Sequence, residues 1–562
     1  MISESHNSKE RRHSLAVVDY FIVAVFLLFL FYAGSVFFRW VGSPDDFFVA
    51  GRELTPFILA ATITATNVNL YSFVGQAGVA YKHGISIIWQ TWTGNMALVF
   101  SGLFVIPILR RLQVRTIPEF LEMRFSPLVR YLVSFLWIFR LSFWLGVVLY
   151  TAVVAAQTLT GFNNFTSWVL IFSVITIIYT MLGGMWSVAL TDTLQFVFML
   201  AGALIVLPLA MAAVGWMPGL MQKIAEGHLQ LITQSGPYNW KFVLAIWILG
   251  IEWACVDQGL LQRAFGASTT KTVAKGLVLA GIVTTPFALL WNFPGLAASV
   301  LFPGLENPDA AVPMVMAKLL PHVVLGFVFC GLLAAQMSTI SANLNSVATL
   351  FTNDLYSRLL RKKATPEDVL RVARRMTIVT GLFMIGFSYL IPKLGGAVEA
   401  YLTVIAIMDM PLFVVAILFG LLWKRTRWQG AVFGYFCGAL AGIFARFVLH
   451  SDVNTATFFS AGASILACFV VTLLLKPKLT ADIETIWKAK KTSDEETVSG
   501  SHYHIIPVSR WGRFFLWLLF AGLAIFLIGI VFGSQGHQLA GWISCIGMLI
   551  YFAAGLIRLN FD

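Results

Sequence analysis

Apolar stretches of about 20 residues, long enough to cross the roughly 30 Å hydrocarbon core of a bilayer as helices, recur along the whole chain. About fifteen are read near 15–40, 54–82, 86–109, 127–160, 165–185, 190–214, 238–262, 273–300, 320–355, 370–393, 397–422, 428–449, 456–475, 512–533 and 538–557. Mostly short polar loops separate them, so the pattern predicts an all-α polytopic membrane protein. Polar residues inside the stretches are the informative exceptions. Hydrocarbon offers no hydrogen bonds, so each must face protein, water or an ion. Ala65-Thr-Asn-Val-Asn-Leu-Tyr-Ser72 interrupts one stretch ahead of Gly75 and Gly78, and Gly250-Ile-Glu-Trp-Ala-Cys-Val-Asp-Gln258 interrupts another. A third stretch, Gly331 to Asp354, stacks Ser338, Thr339, Ser341, Asn343 and Asn345 on one helix. There Ala335, Ser338 and Thr339, spaced i, i+3 and i+4, put one carbonyl and two hydroxyls on a single face, which suits a small hard cation.

Stretches two to six and seven to eleven make two groups of five, and an odd number of crossings gives the groups opposite orientation, as in many secondary transporters. The first helix of each group would then unwind at its polar interruption, freeing carbonyls for a cation and donors for a solute. The alternative is two ordinary helices with satisfied Asn and Ser. The resulting division is 1–53, an N-terminal segment with an extra helix; 54–214, a first repeat; 238–422, a second; and 428–562, further helices with a linker at 476–511.

Composition agrees: 59% of residues are hydrophobic and 11% charged, and mean hydropathy is +0.83, which excludes a soluble globular domain. The net charge of +12 sits in short clusters between apolar segments, as orientation signals do, and not on a nucleic-acid surface. Loops 110–130, 358–375, 424–427 and 476–513 hold most of the loop Lys and Arg, whereas 218–239 and 303–313 hold very few. The positive-inside rule therefore places the first set in the cytoplasm, the N-terminus outside and, with an odd span count, the C-terminus in the cytoplasm. Lys9, Arg11 and Arg12 run against this orientation. Cys255, Cys330, Cys437, Cys468 and Cys545 lie in apolar segments without paired or zinc-like spacing. No Walker, nucleophile or zinc motif is present, which argues against ATP drive and against a membrane enzyme. The 476–513 loop, with Lys488-Ala-Lys-Lys491 and Ser493-Asp-Glu-Glu496, is too short and polar for a folded signalling domain, which disfavours a non-transporting sensor.

An ordered series of segments from about Asp45 to Arg427 resembles the sodium/solute symporter family, which includes the sodium-glucose cotransporters. It comprises Phe48-Val-Ala-Gly-Arg-Glu-Leu54, Ser72-Phe-Val-Gly75, Thr116-Ile-Pro-Glu-Phe-Leu-Glu-Met-Arg-Phe125, Gly183-Gly184 with Thr191-Asp-Thr-Leu-Gln195, Asp257-Gln-Gly-Leu-Leu-Gln-Arg263, Asn345 to Asp354 and Gly420-Leu-Leu-Trp-Lys-Arg425. The resemblance implies a five-plus-five inverted repeat with a broken first helix in each half, alternating access and Na+ as the coupling ion. It implies a sodium site from the carbonyls of Ala65, Val68 and Ala335 with the hydroxyls of Ser338 and Thr339.

By position, it also implies a solute pocket among Asn67, Asn69, Ser72, Gln90, Thr91, Glu252, Trp253 and Thr403. Three departures point away from a glucose-like substrate: Thr91 stands where an acidic sugar ligand is expected, Trp253 for a gate tyrosine and Thr403 for a glutamine. Trp253 stacks on a ring or closes the gate, or is a plain packing residue. Asp192 matches an acidic residue near a second sodium site or the ion's exit path, and Asp192-Thr-Leu-Gln195 is equally a capping box. Where relatives with a second site carry two adjacent hydroxyls, only Ser341 is present beside Ala342, so one sodium per cycle is expected. Three intramembrane charges, Arg140, Glu252 and Asp409, bear on the solute. Arg140 either forks onto a carboxylate, as for a sugar acid, or pairs with Glu252, Asp409 or Asp192. The expectation is a sodium-coupled importer of a small polar organic solute, a sugar or sugar acid, with carboxylates or amino acids as the alternative.

Overall fold

The computed structural model describes residues 14–38, 52–361, 363–477, 480–491 and 503–561, without the side chains of 31, 33–38, 182–194, 196 and 491. The segments Phe48–Gly51 and Ser493–Glu496, and the side chains of Gly183, Gly184, Thr191 and Asp192, lie outside what is described. The principal helices in chain order are α1 (Val17–Phe38), α2 (Pro56–Asn67), α3 (Tyr71–His83), α4 (Ile85–Arg111), α5 (Ile117–Arg124), α6 (Pro127–Thr160) and α7 (Phe165–Val214). There follow α8 (Trp240–Val256), α9 (Gln258–Phe265), α10 (Thr270–Leu301), α11 (Ala311–Leu319), α12 (Val324–Leu360), α13 (Pro366–Ser388) and α14 (Ala397–Leu421). The last are α15 (Trp428–Val448), α16 (Val453–Leu474), α17 (Ala481–Lys491), α18 (Arg510–Ser534) and α19 (Ala540–Arg558).

Every apolar stretch read from the sequence falls on helix. Among the described residues, 10 helices are long and apolar enough to cross a membrane, or up to 12 if each of two bent pairs is one span. Two further stretches coincide with shorter apolar segments, Val17–Leu30 and Phe165–Met181. The remaining one, α13, carries Arg371, Arg374 and Arg375 in its first half, which leaves a short apolar remainder. At 1.5 Å per residue, the 50 residues of α7 exceed one crossing by more than twofold, so this helical segment accounts for two of the stretches.

The two bent pairs are α2 with α3, at 47°, and α8 with α9, at 43°. Local chemistry explains each. In the first pair Val68 is extended (φ −91°, ψ 103°), and the Asn69 amide donates to the Thr66 carbonyl at 3.2 Å, satisfying a backbone group that the helix would otherwise use. In the second, Asp257 is extended (φ −62°, ψ 116°) and its carboxylate caps α9 by accepting from the Leu260 N–H at 2.9 Å.

Around the breaks the helices interlock. α8 packs on α4, and α10 on both α2 and α3. A Cβ at Gly295 of α10 would lie 2.4 Å from the Ala77 carbonyl oxygen, so only glycine admits that approach. α12, buried along nearly its whole length, packs on α6, α7 and α13. By contrast α15 with α16, and α18 with α19, form peripheral hairpins whose outer faces expose Leu466, Trp517 and Leu549 as lipid-facing helices do.

Several of the sequence segments meet at the end of the bundle that carries the basic loops. Thr116 and Arg130 both donate to the Asp354 carboxylate, and Gln258 accepts from the Ile117 N–H at 3.1 Å. Arg124 donates to the Gly420, Thr426 and Trp423 carbonyls, satisfying orphan acceptors around the end of α14. These motif residues hold the loops to the helix ends.

Candidate functional site

Between the two breaks lies a cavity of about 140 Å³. With about 10–15 Å³ sufficient for one water on this measure, it takes a solute of roughly ten heavy atoms. Asn67, Asn69, Ser72, Gln90, Thr91, Arg140, Glu252 and Trp253 all line it. Thr403 does not. Tyr401 and Ile405, one turn apart on α14, face the cavity instead, and Thr403 lies roughly on the other side of that helix, so position along the sequence misassigned the helix face.

Several lining groups are committed to one another. Thr91 donates to Gln76 Oε1 at 3.0 Å, where Trp291 also donates at 2.8 Å. Gln90 donates to the Tyr71 hydroxyl at 2.9 Å. Tyr71, Trp144 and Tyr401 form an aromatic cluster on the cavity wall, with ring centroids 4.6–5.3 Å apart. Other buried polar atoms have no hydrogen-bond partner among the described residues: Asn67 Nδ2, Asn69 Oδ1 and Glu252 Oε1. Unpaired buried groups of this kind cost on the order of 1–3 kcal/mol each unless water or a ligand meets them.

Arg140, 3% exposed, is doubly engaged. Its Nε and Nη2 reach Asp409 Oδ2 at 2.9 and 2.7 Å, and its Nη1 donates to Asp257 Oδ2 at 3.1 Å. Of the partners weighed from sequence, Asp409 is met and Glu252 makes no hydrogen bond or ion pair with the guanidinium; the side chain of Asp192 lies outside the described residues. Asp257 was not among those partners, because nothing in the local pattern shows which helix faces the second break. One guanidinium thus ties α6 to the second break and to α14.

Beside the cavity, α12 meets the end of α2. Ser338 Oγ lies 3.1 Å from the Ala65 carbonyl and 3.0 Å from that of Ala335. Thr339 Oγ1 lies 3.1 Å from the carbonyls of both Thr66 and Ala335. Five oxygens from two helices therefore converge in a buried, uncharged cluster. Ala65, Ala335, Ser338 and Thr339 are in it as expected, and the Thr66 carbonyl joins them. Val68 is buried next to the break, and no hydrogen bond brings its carbonyl to the cluster. Sequence had no signal for Thr66, because a backbone carbonyl is available at every residue. Ser341 turns its hydroxyl back to the Ser338 carbonyl at 3.1 Å.

The model of the sodium:solute symporter family matches residues 47–438. The chain belongs to that family. The symporter is 27% identical over 477 residues to the sodium/glucose cotransporter of Vibrio parahaemolyticus, covering 78% of this chain and 86% of that one. It is 28% identical over 472 residues to the human sodium/myo-inositol cotransporter 2, with 76% and 70% coverage. Among solved structures, a sodium-coupled sialic acid symporter in a substrate-bound, outward-open state superposes with TM-score 0.74 at 21% identity, over 83% of this chain and 99% of that one. A nucleobase-cation-symport-1 family transporter superposes with TM-score 0.53 at 15% identity, over 79% and 99%. The fold is therefore that of the inverted-repeat transporters. The symporter is a multi-pass membrane protein that couples a small-molecule solute to sodium, and it is not an enzyme.

Proposed function

We propose that the symporter imports a neutral, hydroxyl-rich solute of about monosaccharide size, a sugar or cyclic polyol, together with one sodium ion. The carrying observation is the state of Arg140. Both of its edges are taken by Asp257 and Asp409, so the one buried cation among the described residues of the cavity is already neutralised. What remains for a solute are amide groups and Glu252. A buried carboxyl group with an unpartnered oxygen accepts hydroxyl donors and offers no positive charge to an anion. This favours a sugar over a sugar acid or another carboxylate. The named substrates of the glucose and myo-inositol cotransporters point the same way.

In this reading sodium sits among Ala65, Thr66, Ala335, Ser338 and Thr339, with Val68 completing the set when the break closes. Each of the two hydroxyls faces two carbonyls but owns one hydrogen. A cation would relieve that shortage by accepting oxygens from both helices at once, and α2 and α12 would be held together while it is bound. Loss of the ion returns the hydroxyls to their carbonyls and loosens the joint, which is where alternating access would begin. Ser341 bonds within its own helix, in keeping with a single ion. The basic loops would face the cytoplasm, with the N-terminus outside.

The test is uptake by proteoliposomes under an inward sodium gradient. Labelled glucose, myo-inositol, sialic acid and amino acids would be compared, each against an equal choline gradient. Sodium-dependent uptake of neutral sugars or polyols, uncompeted by sialic acid, is expected; sodium-driven uptake confined to sialic acid or amino acids would overturn the substrate assignment.

A further inference from the structure

We propose that the first half of α13, together with α7, forms a site for the headgroup and upper acyl chain of an anionic phospholipid. Arg371, Arg375, Ile378 and Leu382 follow one another at spacings of four, three and four, so they share one stripe of the helix, with Arg374 at its edge. Arg371 and Arg375 are exposed, and so are Ile378 at 41% and Leu382 at 61%. Within one turn the stripe changes from cationic to apolar. That is the boundary a membrane helix presents where hydrocarbon gives way to headgroups.

Beside this boundary is a second cavity, of about 440 Å³, remote from the one that holds the solute. The three arginines line it, with Leu370 and Ile378 of α13, Met181 of α7 and Glu367. Asp368 is committed to Arg361 at 3.0 Å and, through a solvent-exposed contact of 3.5 Å, to Arg371. Glu367 is the carboxylate on the wall among the described residues, and Arg371 and Arg375 outnumber it there. Guanidinium forks match phosphate oxygens. A free phosphate would leave Met181, Leu370 and Ile378 unused, whereas a phospholipid engages both halves of the wall. Basic pockets between helices on the cytoplasmic side suit anionic headgroups. Because α13 packs on α6 and α12, an occupant here would brace the helices that carry Arg140, Ser338 and Thr339.

Native mass spectrometry of the full-length symporter, released from micelles holding equal amounts of phosphatidylglycerol and phosphatidylcholine, tests the site. The wild type should retain phosphatidylglycerol preferentially, and Arg371→Gln with Arg375→Gln should lower that preference by about tenfold. Sodium-driven uptake in phosphatidylcholine vesicles should be the same in both proteins, showing an intact fold; if the double variant is not recovered, Arg375→Gln alone reads the same ratio. An unchanged lipid ratio would overturn the proposal. Displacement of the bound lipid by millimolar inorganic phosphate would overturn it too, in favour of a simple phosphate site.

Discussion

At the scale of single residues, burial decides what each charge does. Arg140 lies between Asp257 and Asp409, so Arg140→Gln leaves two carboxylates in a dry site and is expected to cost about 3–5 kcal/mol of stability. Adding Asp409→Asn should recover part of that loss in a thermal unfolding assay; an absence of recovery would mean that the pair does not carry the effect. Glu252 differs in having an unpartnered oxygen at the cavity. Glu252→Gln should raise the KM for solute by about tenfold, the value of one hydrogen bond, and leave sodium activation unchanged. Asp309, in the loop between α10 and α11, is held up to about 6 by burial, against the pull of the Ala397 N–H and the Tyr150 hydroxyl. Its folded value exceeds the unfolded 3.8, so the folded state binds the proton more tightly. The resulting stabilisation, up to about 3 kcal/mol, is complete below about pH 4 and lost as pH rises through about 6. Asp309→Asn should flatten that part of the melting-temperature profile.

Single elements were legible where the bilayer fixes the pattern. A long apolar run with few charges has one outcome in hydrocarbon, so the helices could be read directly. The broken helices were legible for a related reason: Asn67, Asn69 and Asp257 are costly in an apolar helix unless the backbone opens beside them. Which face a helix presents was less legible. Tyr401 and Thr403 are two residues apart, and nothing along the sequence says which of them meets the cavity. The linker, legible in sequence as a connector or a modest contact surface, does make contacts: Arg111 donates to the Ala489 and Tyr503 carbonyls at 2.7 Å each, and buried Tyr503 donates to the Leu103 carbonyl at 2.8 Å. Lys490 of α17 donates to the Leu421 carbonyl at the end of α14 and stacks 4.2 Å from the Trp487 ring. Arg111→Ala should therefore release α17, seen as at least tenfold faster hydrogen exchange across 481–491, in line with the loss of two hydrogen bonds worth about 1 kcal/mol each.

Across the whole molecule, function arises where the two repeats meet. Neither break by itself makes a site. The first supplies the Ala65 and Thr66 carbonyls and two of the cavity's amides. The second supplies Glu252 and the Asp257 anchor for Arg140. α12 then joins the oxygen cluster to the cavity, since Thr339 and Asn343 also line the cavity. Such cross-helix meetings were read from family resemblance and residue spacing, because distance between elements far apart in sequence is not written in local pattern. The central claim, that the hydroxyls of α12 and the carbonyls of α2 hold the driving ion, is tested most directly by the sodium activation curve of solute uptake. Ser338→Ala and Thr339→Ala should each raise the half-activating sodium concentration by about tenfold, the equivalent of about 1.4 kcal/mol. Curves that superpose on the wild type for both variants would contradict it.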